Sequence, residues 1–162
     1  MASTYLQARV HQMRYEAAGI LSVELRPLAA AQEFSQSVQA GAHIDLHLAD
    51  GLIRSYSLTN PGERHRYVVA VSLDPTSRGG SRFVHQRLRV GDVIQIGGPR
   101  NHFPLVETAP HSVLVAGGIG ITPVLAMLRR LNALGRTAHL IYCASSRASA
   151  AFVPEIEARS EE

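Results

Sequence analysis

The 162-residue sequence contains no lysine, and every basic residue apart from eight histidines is arginine. That absence removes Schiff-base chemistry and the lysine of a phosphate-binding P-loop. Arginine remains well suited to planar, bidentate contact with phosphate or carboxylate. Cys143 is the single cysteine. It forms no internal disulfide and cannot hold an iron–sulfur cluster, which takes about four thiolates. Aromatic residues make up only 6% of the chain, and the arginines are scattered rather than gathered in a stripe, so nucleic-acid binding is not expected despite a net charge of +3. No apolar run is long enough to span a bilayer. The first residues, Met1 to Arg9, lack the charged-then-apolar layout of a signal peptide, and a cytoplasmic protein is expected.

What remains is ordinary for a folded domain, with 46% hydrophobic and 18% charged residues. Over the first two thirds the pattern is β. Ile44, Leu46 and Leu48 alternate with His43, Asp45 and His47, which predicts a strand with one buried face. The set His43, Asp45 and His47 could offer metal ligands, but isolated surface alternation is the better reading. Asp50-Gly51 and Asn60-Pro61-Gly62 are turns. Strands are expected around Tyr5 to Tyr15, Ile20 to Leu28, Ile53 to Thr59, Tyr67 to Leu73 and Asp92 to Ile96. Six antiparallel strands joined by short turns predict a small closed barrel. One helix interrupts them, with Ser81 as its expected N-cap and Phe83, Val84, Arg87 and Leu88 at helical spacing.

After Pro104 the pattern changes. Leu105 to His111 reads as a linker. Strand (Ser112 to Ala116), glycine turn, helix (Pro123 to Leu134) and strand (His139 to Cys143) form a β–α–β unit, with Thr122 as the expected cap and Pro123 at the first helical position. A short helix is expected within Ala150 to Arg159. The reading is all-β plus α/β: a six-stranded antiparallel Greek-key barrel over 1–105, then the start of a Rossmann-like domain over 111–162.

Four motifs stand in series: Arg54-Ser55-Tyr56-Ser57-Leu58, Arg78-Gly79-Gly80-Ser81, Gly98 to Leu105, and Gly117-Gly118-Ile119-Gly120-Ile121-Thr122-Pro123. Each is weak alone. In this order and spacing they resemble the phthalate dioxygenase reductase family, which includes the vanillate demethylase reductases and lies in the ferredoxin–NADP reductase superfamily. Members have an FMN-binding barrel, an NADH-binding domain and a 2Fe-2S ferredoxin domain, and they pass electrons to a Rieske-type oxygenase. This sequence matches the barrel and the opening of the nicotinamide domain. The 2Fe-2S domain is absent from it, and the chain reads as a shortened form.

The resemblance implies roles for particular residues. Tyr56 packs on the flavin ring, Ser57 reaches its N5/O4 edge, and Arg54 reaches the FMN phosphate. Gly79, Gly80 and Ser81 cradle that phosphate with backbone N–H groups. Val71 is a further flavin contact. Gly117, Gly118 and Gly120 admit NADH (or NADPH), with Thr122 beside it. Cys143 lies near the nicotinamide C4, or is simply a small buried residue. Phe103 lies near the flavin, or plugs the space between domains. Ser57 and Cys143 are the catalytic candidates. The implied activity is flavin-dependent NAD(P)H oxidation, serving an oxygenase partner. The alternatives are an FMN-binding fragment without NADH turnover and a barrel that takes an apolar ligand. Exposed sheet edges favour a homodimer.

Overall fold

The alternation at Ile44, Leu46 and Leu48 is realised as one wall of a six-stranded antiparallel sheet, with all three side chains buried. The computed structural model describes residues 5–160. The outer ends of the two expected domains, residues 1–4 and 161–162, lie outside it. The strands are β1 (Tyr5–Ala17), β2 (Ile20–Pro27), β3 (His43–His47), β4 (Ile53–Ser57), β5 (Tyr67–Ser72) and β6 (Val93–Gly97), in the spatial order β4-β3-β6-β1-β2-β5. Register slips in β1 at Val10/Gln12 and Tyr15/Ala17 insert extra residues. Such bulges bend a strand and let it pair with β6 at one end and β2 along its length. The enclosed core includes Val10, Val23, Leu25, Ile44, Leu46, Leu58, Val69 and Ile96.

The expected closed barrel is not what forms. The edge strands β4 and β5 share no ladder and meet at one bridge, Leu58–Val69, with Thr59 N–H donating to the Val68 carbonyl at 2.9 Å. From that bridge the ladder does not continue along Ile53–Ser57 and Ala70–Ser72, so the two edge strands diverge on the side away from the turn that joins them. Helix α1 (Gly80–Gln86) supplies Val84 to the same core, and Leu88 follows it.

Beyond the sheet, β7 (His111–Gly117), α2 (Ile121–Ala133) and β8 (Thr137–Cys143) form the expected β–α–β unit with β7 and β8 parallel. Ile121, Val124, Leu125, Leu128 and Leu131 bury one face of α2 against a second core that also takes Ala17, Ile20 and Ala70 from the large sheet. At the other end of α2, Gly135 adopts φ +64° and Arg136 N–H reaches back to the Leu131 carbonyl at 2.9 Å, a left-handed cap that ends the helix. A last helix, α3 (Val153–Ser160), follows. No helix among the described residues is long and apolar enough to cross a membrane.

Two expected caps are corrected. Helix α1 is capped by Gly79, at φ +107°, and Ser81 lies inside it. Helix α2 starts at Ile121 after Gly120, and the Thr122 hydroxyl donates to the Ile119 carbonyl at 3.0 Å. In both places a glycine turn tightens the chain one or two residues before the polar side chain.

The large sheet and the β–α–β unit are also joined by charge. Arg129 on α2 donates to the Thr59 carbonyl at 2.6 Å and grips Glu155 of α3 with two bonds of 2.8 and 2.6 Å. Nearby, Glu24 is buried and accepts from Arg26 and Arg66. Burial pushes the Glu24 and Glu155 carboxyls up, but their arginine partners outweigh it, and both lie below the usual glutamate range. A carboxyl depressed in the folded state contributes stability above its unfolded pKa and loses it as pH falls through the folded value. The urea midpoint is therefore expected to fall steadily below about pH 4.5, and Glu24→Gln is expected to flatten that limb. An acid limb of unchanged slope in Glu24→Gln would contradict this.

Candidate flavin and nucleotide site

Strand β4 is half-buried, and its two faces carry different chemistry. Arg54 and Tyr56 stand opposite Leu46 and Ile44 on the core-facing side. Ser55 and Ser57 stand opposite Asp45 and His43 on the other. The alternation expected of Tyr56 and Ser57 is thus present. Tyr56 packs against the core cluster. Burial pushes its phenol up, and the nearby Arg54 charge only partly offsets this, so the hydroxyl stays protonated at neutral pH.

Arg54 crosses to the start of α1. A Cβ at Gly80 would lie 2.6 Å from Arg54 Cγ and 2.9 Å from its Nε. Only glycine leaves room for the guanidinium stem to lie over that turn. Gly79 is equally constrained, by its positive φ and by Leu52 Cδ1 at 2.9 Å from a would-be Cβ. The first N–H groups of α1 have no acceptor within the helix and carry the positive end of its dipole. The turn itself is pinned. Ser77 Oγ accepts from Gly79 N–H at 3.1 Å, and Ser81 Oγ accepts from Asp74 N–H at 3.1 Å. Asp74, held below the usual aspartate range by hydrogen bonds from Thr76, faces away into the loop. The structure thus brings Arg54, Gly79, Gly80 and Ser81 together at the start of α1, with Tyr56 two residues along the same face of β4. An arginine beside a glycine turn at a helix start has the chemistry to hold an anionic group.

Val71 stands apart. Its side chain is fully buried in the core, its backbone pairs with Leu21 of β2, and His85 Nε2 lies 2.8 Å from its carbonyl oxygen. It presents no side-chain surface to a ligand. Phe103 is 57% exposed and lines a cavity of about 270 Å³ with Leu105, Val113, Val115, Val124 and Met127. Its neighbours there belong to the linker and the β–α–β unit, none of them to β4.

At the carboxyl end of β7, Gly117 pairs with Cys143 across the parallel ladder. A Cβ at Gly117, Gly118 or Gly120 would meet nothing within 4 Å, so the surface above this turn is open. Cys143 is exposed, which removes the buried alternative for it. Thr122 is buried and spends its hydroxyl on the turn.

Other polar groups escape the sequence. Asp45 accepts from Ser55 Oγ and from Arg100 Nη2, both at 2.6 Å, next to the pair His43–Ser57. Alternation alone placed Asp45 outward, but its partners depend on the β3–β4 register and on a loop more than fifty residues away. Among the described residues, no group of three His, Cys, Asp or Glu could hold a metal.

An antiparallel sheet followed by a β–α–β unit, with glycine turns at α1 and after β7, defines a ferredoxin–NADP reductase-like fold. No protein-family model matches the chain. It is 50% identical over 149 residues to phenoxybenzoate dioxygenase subunit beta of Ectopseudomonas oleovorans, covering 91% of this chain and 46% of that one. It is 48% identical over 149 residues to vanillate O-demethylase oxidoreductase of a Pseudomonas species, again covering 91% and 46%. Among solved structures, phthalate dioxygenase reductase superposes with a TM-score of 0.89 at 38% identity, covering 94% of this chain and 47% of the other. The chain spans about half the length of these relatives. Over that span it is similar in sequence and fold to the phthalate dioxygenase reductase family, as its four motifs imply.

Proposed function

We propose that this chain binds FMN and forms the flavin-bearing part of an NAD(P)H-dependent oxidoreductase, whose electrons pass toward a 2Fe-2S centre and a Rieske-type oxygenase. The observation that carries this reading is the placement of Arg54 across Gly80, on the strand that bears Tyr56 and Ser57. We take 1–105 as the flavin unit and 111–162 as part of the nicotinamide unit. Phthalate dioxygenase reductase is described as a modular structure for electron transfer from pyridine nucleotides to [2Fe-2S], which supports the direction of flow.

When bound, FMN supplies the chemistry, accepting a hydride and releasing electrons singly. The residues bind and orient. Arg54 and the N–H groups after Gly79 neutralise the phosphate. Tyr56, protonated and anchored in the core, offers a rigid face for the ring. Ser57 offers a hydroxyl to the ring's reacting edge. The open turn at Gly117, Gly118 and Gly120 admits the nicotinamide nucleotide beside Cys143. Phe103 belongs at the junction between the two units.

A second reading, FMN binding without NADH turnover, is favoured by one feature. Val113, Val115 and Ile141 leave one apolar face of the two-stranded sheet exposed. Such a face also favours a homodimer. Anaerobic addition of NADH to the FMN-loaded chain separates the readings, because bleaching of the flavin absorbance is expected only from the first. In the bleaching protein, Ser57→Ala is expected to slow flavin reduction more than tenfold, while FMN affinity changes less than about threefold, a difference below 1 kcal/mol. An unchanged stopped-flow reduction rate in Ser57→Ala would remove Ser57 from the reacting edge.

A further inference from the structure

His43 is the direct cross-strand partner of Ser57. Its own N–H and C=O bond to Arg100 on its other side, at 2.9 and 3.0 Å, while Ala42 C=O takes the Leu58 N–H. The His43–Ser57 pair is therefore of the non-hydrogen-bonded kind, in which side chains on one face come closest. The imidazole sits edge-on to His102, with ring centroids 5.2 Å apart. We propose that His43 is the proton-holding partner of Ser57, taking up a proton when the flavin at Ser57 is reduced. This rests on the flavin reading given above.

The surroundings set His43 up for this. Burial lowers its pKa, the charge of Arg100 and the ring of His102 lower it further, and Asp45 opposes them. Asp45, the one carboxylate on this face of β3, is already bonded to Arg100 and Ser55. From β4 only the hydroxyls of Ser55 and Ser57 face His43, and from the segment after β6 come Arg100 and His102. The next polar residue along β3, His47, packs instead on Tyr5. Among the described residues no further carboxylate faces the imidazole, and burial and the Arg100 charge keep His43 neutral at pH 7. A hydride from a reduced nicotinamide brings two electrons and one hydrogen nucleus to the flavin and leaves the ring with one added negative charge. That charge beside Ser57 favours the cationic imidazole, and the balancing proton comes from solvent. His43 acts through Ser57 and is a positioning residue, not one that touches the reacting atoms.

The test is the pH dependence of the bound flavin's midpoint potential, measured by spectroelectrochemistry on the FMN-loaded chain and on His43→Gln. In the wild-type protein the potential should fall more steeply with pH across a window near neutrality, reporting one extra proton per two electrons, and this window should vanish in His43→Gln. A second measurement needs no variant: the His43 ring resonance should titrate at higher pH with the flavin reduced than with it oxidised. Identical potential slopes, or a His43 titration unmoved by reduction, overturn the proposal while leaving flavin binding intact. A folded chain that takes up no FMN overturns both this proposal and the reading beneath it.

Discussion

Arg54→Ala is expected to weaken FMN binding by roughly 100-fold, the loss of about 2.7 kcal/mol of charge-assisted bonding to a phosphate. The folded state should barely notice. The bond Arg54 makes within the chain goes from Nη1 to the carbonyl of its neighbour Ile53, at 2.8 Å and in contact with solvent. Such a bond contributes about 1 kcal/mol or less. Gly80→Ala should give a partial version of the same defect. Its Cβ would come within 2.6 Å of Arg54 Cγ, but a flexible side chain can yield, so the cradle is displaced rather than emptied. The pair is read by titrating apo-protein with FMN and following quenching of flavin fluorescence. Retention of wild-type affinity in Arg54→Ala would place the phosphate elsewhere.

Gly41→Ala is expected to lower stability by about 3 kcal/mol, or the melting temperature by roughly 10 °C. Two costs coincide at this position. Gly41 has φ +92°, and its missing Cβ would lie 1.9 Å from the carbonyl oxygen of Phe103. That oxygen belongs to backbone and cannot swing aside as the Arg54 stem can. Asn101 ties the same crossing down, donating to the Ala40 carbonyl at 3.1 Å and accepting from Phe103 N–H at 3.1 Å. The substitution must therefore push the chain between the large sheet and the β–α–β unit. Thermal melts of the two proteins check this, and a melting point within about 2 °C of wild type would contradict it.

Local pattern carried much of the fold. The alternation in β3 and the β–α–β rhythm after Pro110 were legible because side-chain period follows directly from strand and helix geometry. Closure of the sheet was not, since it depends on whether β4 and β5, the two edges, stay side by side beyond the Leu58–Val69 bridge. The caps at Gly79 and Gly120 were missed for a related reason. Ser81 and Thr122 have the chemistry of capping residues, yet the glycines before them can take the turn that starts each helix. At the candidate site, the residue types at Arg54, Tyr56, Ser57 and the glycine turn were readable, and their order implied a family. Val71 shows the limit of that route, because its side chain lies in the core. The Asp45–Arg100–Ser55 cluster, the facing of His43 and Ser57, and the grip of Arg129 on Thr59 all depend on long-range register, which no window of sequence contains.

The central claim is that β4 and the α1 turn together hold a flavin. The visible spectrum of the purified, FMN-reconstituted chain tests it most directly, combined with the mass of the chromophore released on denaturation. The account predicts a yellow protein with flavin absorbance and one equivalent of a species with the mass of FMN. A correctly folded protein that stays colourless after reconstitution would contradict it.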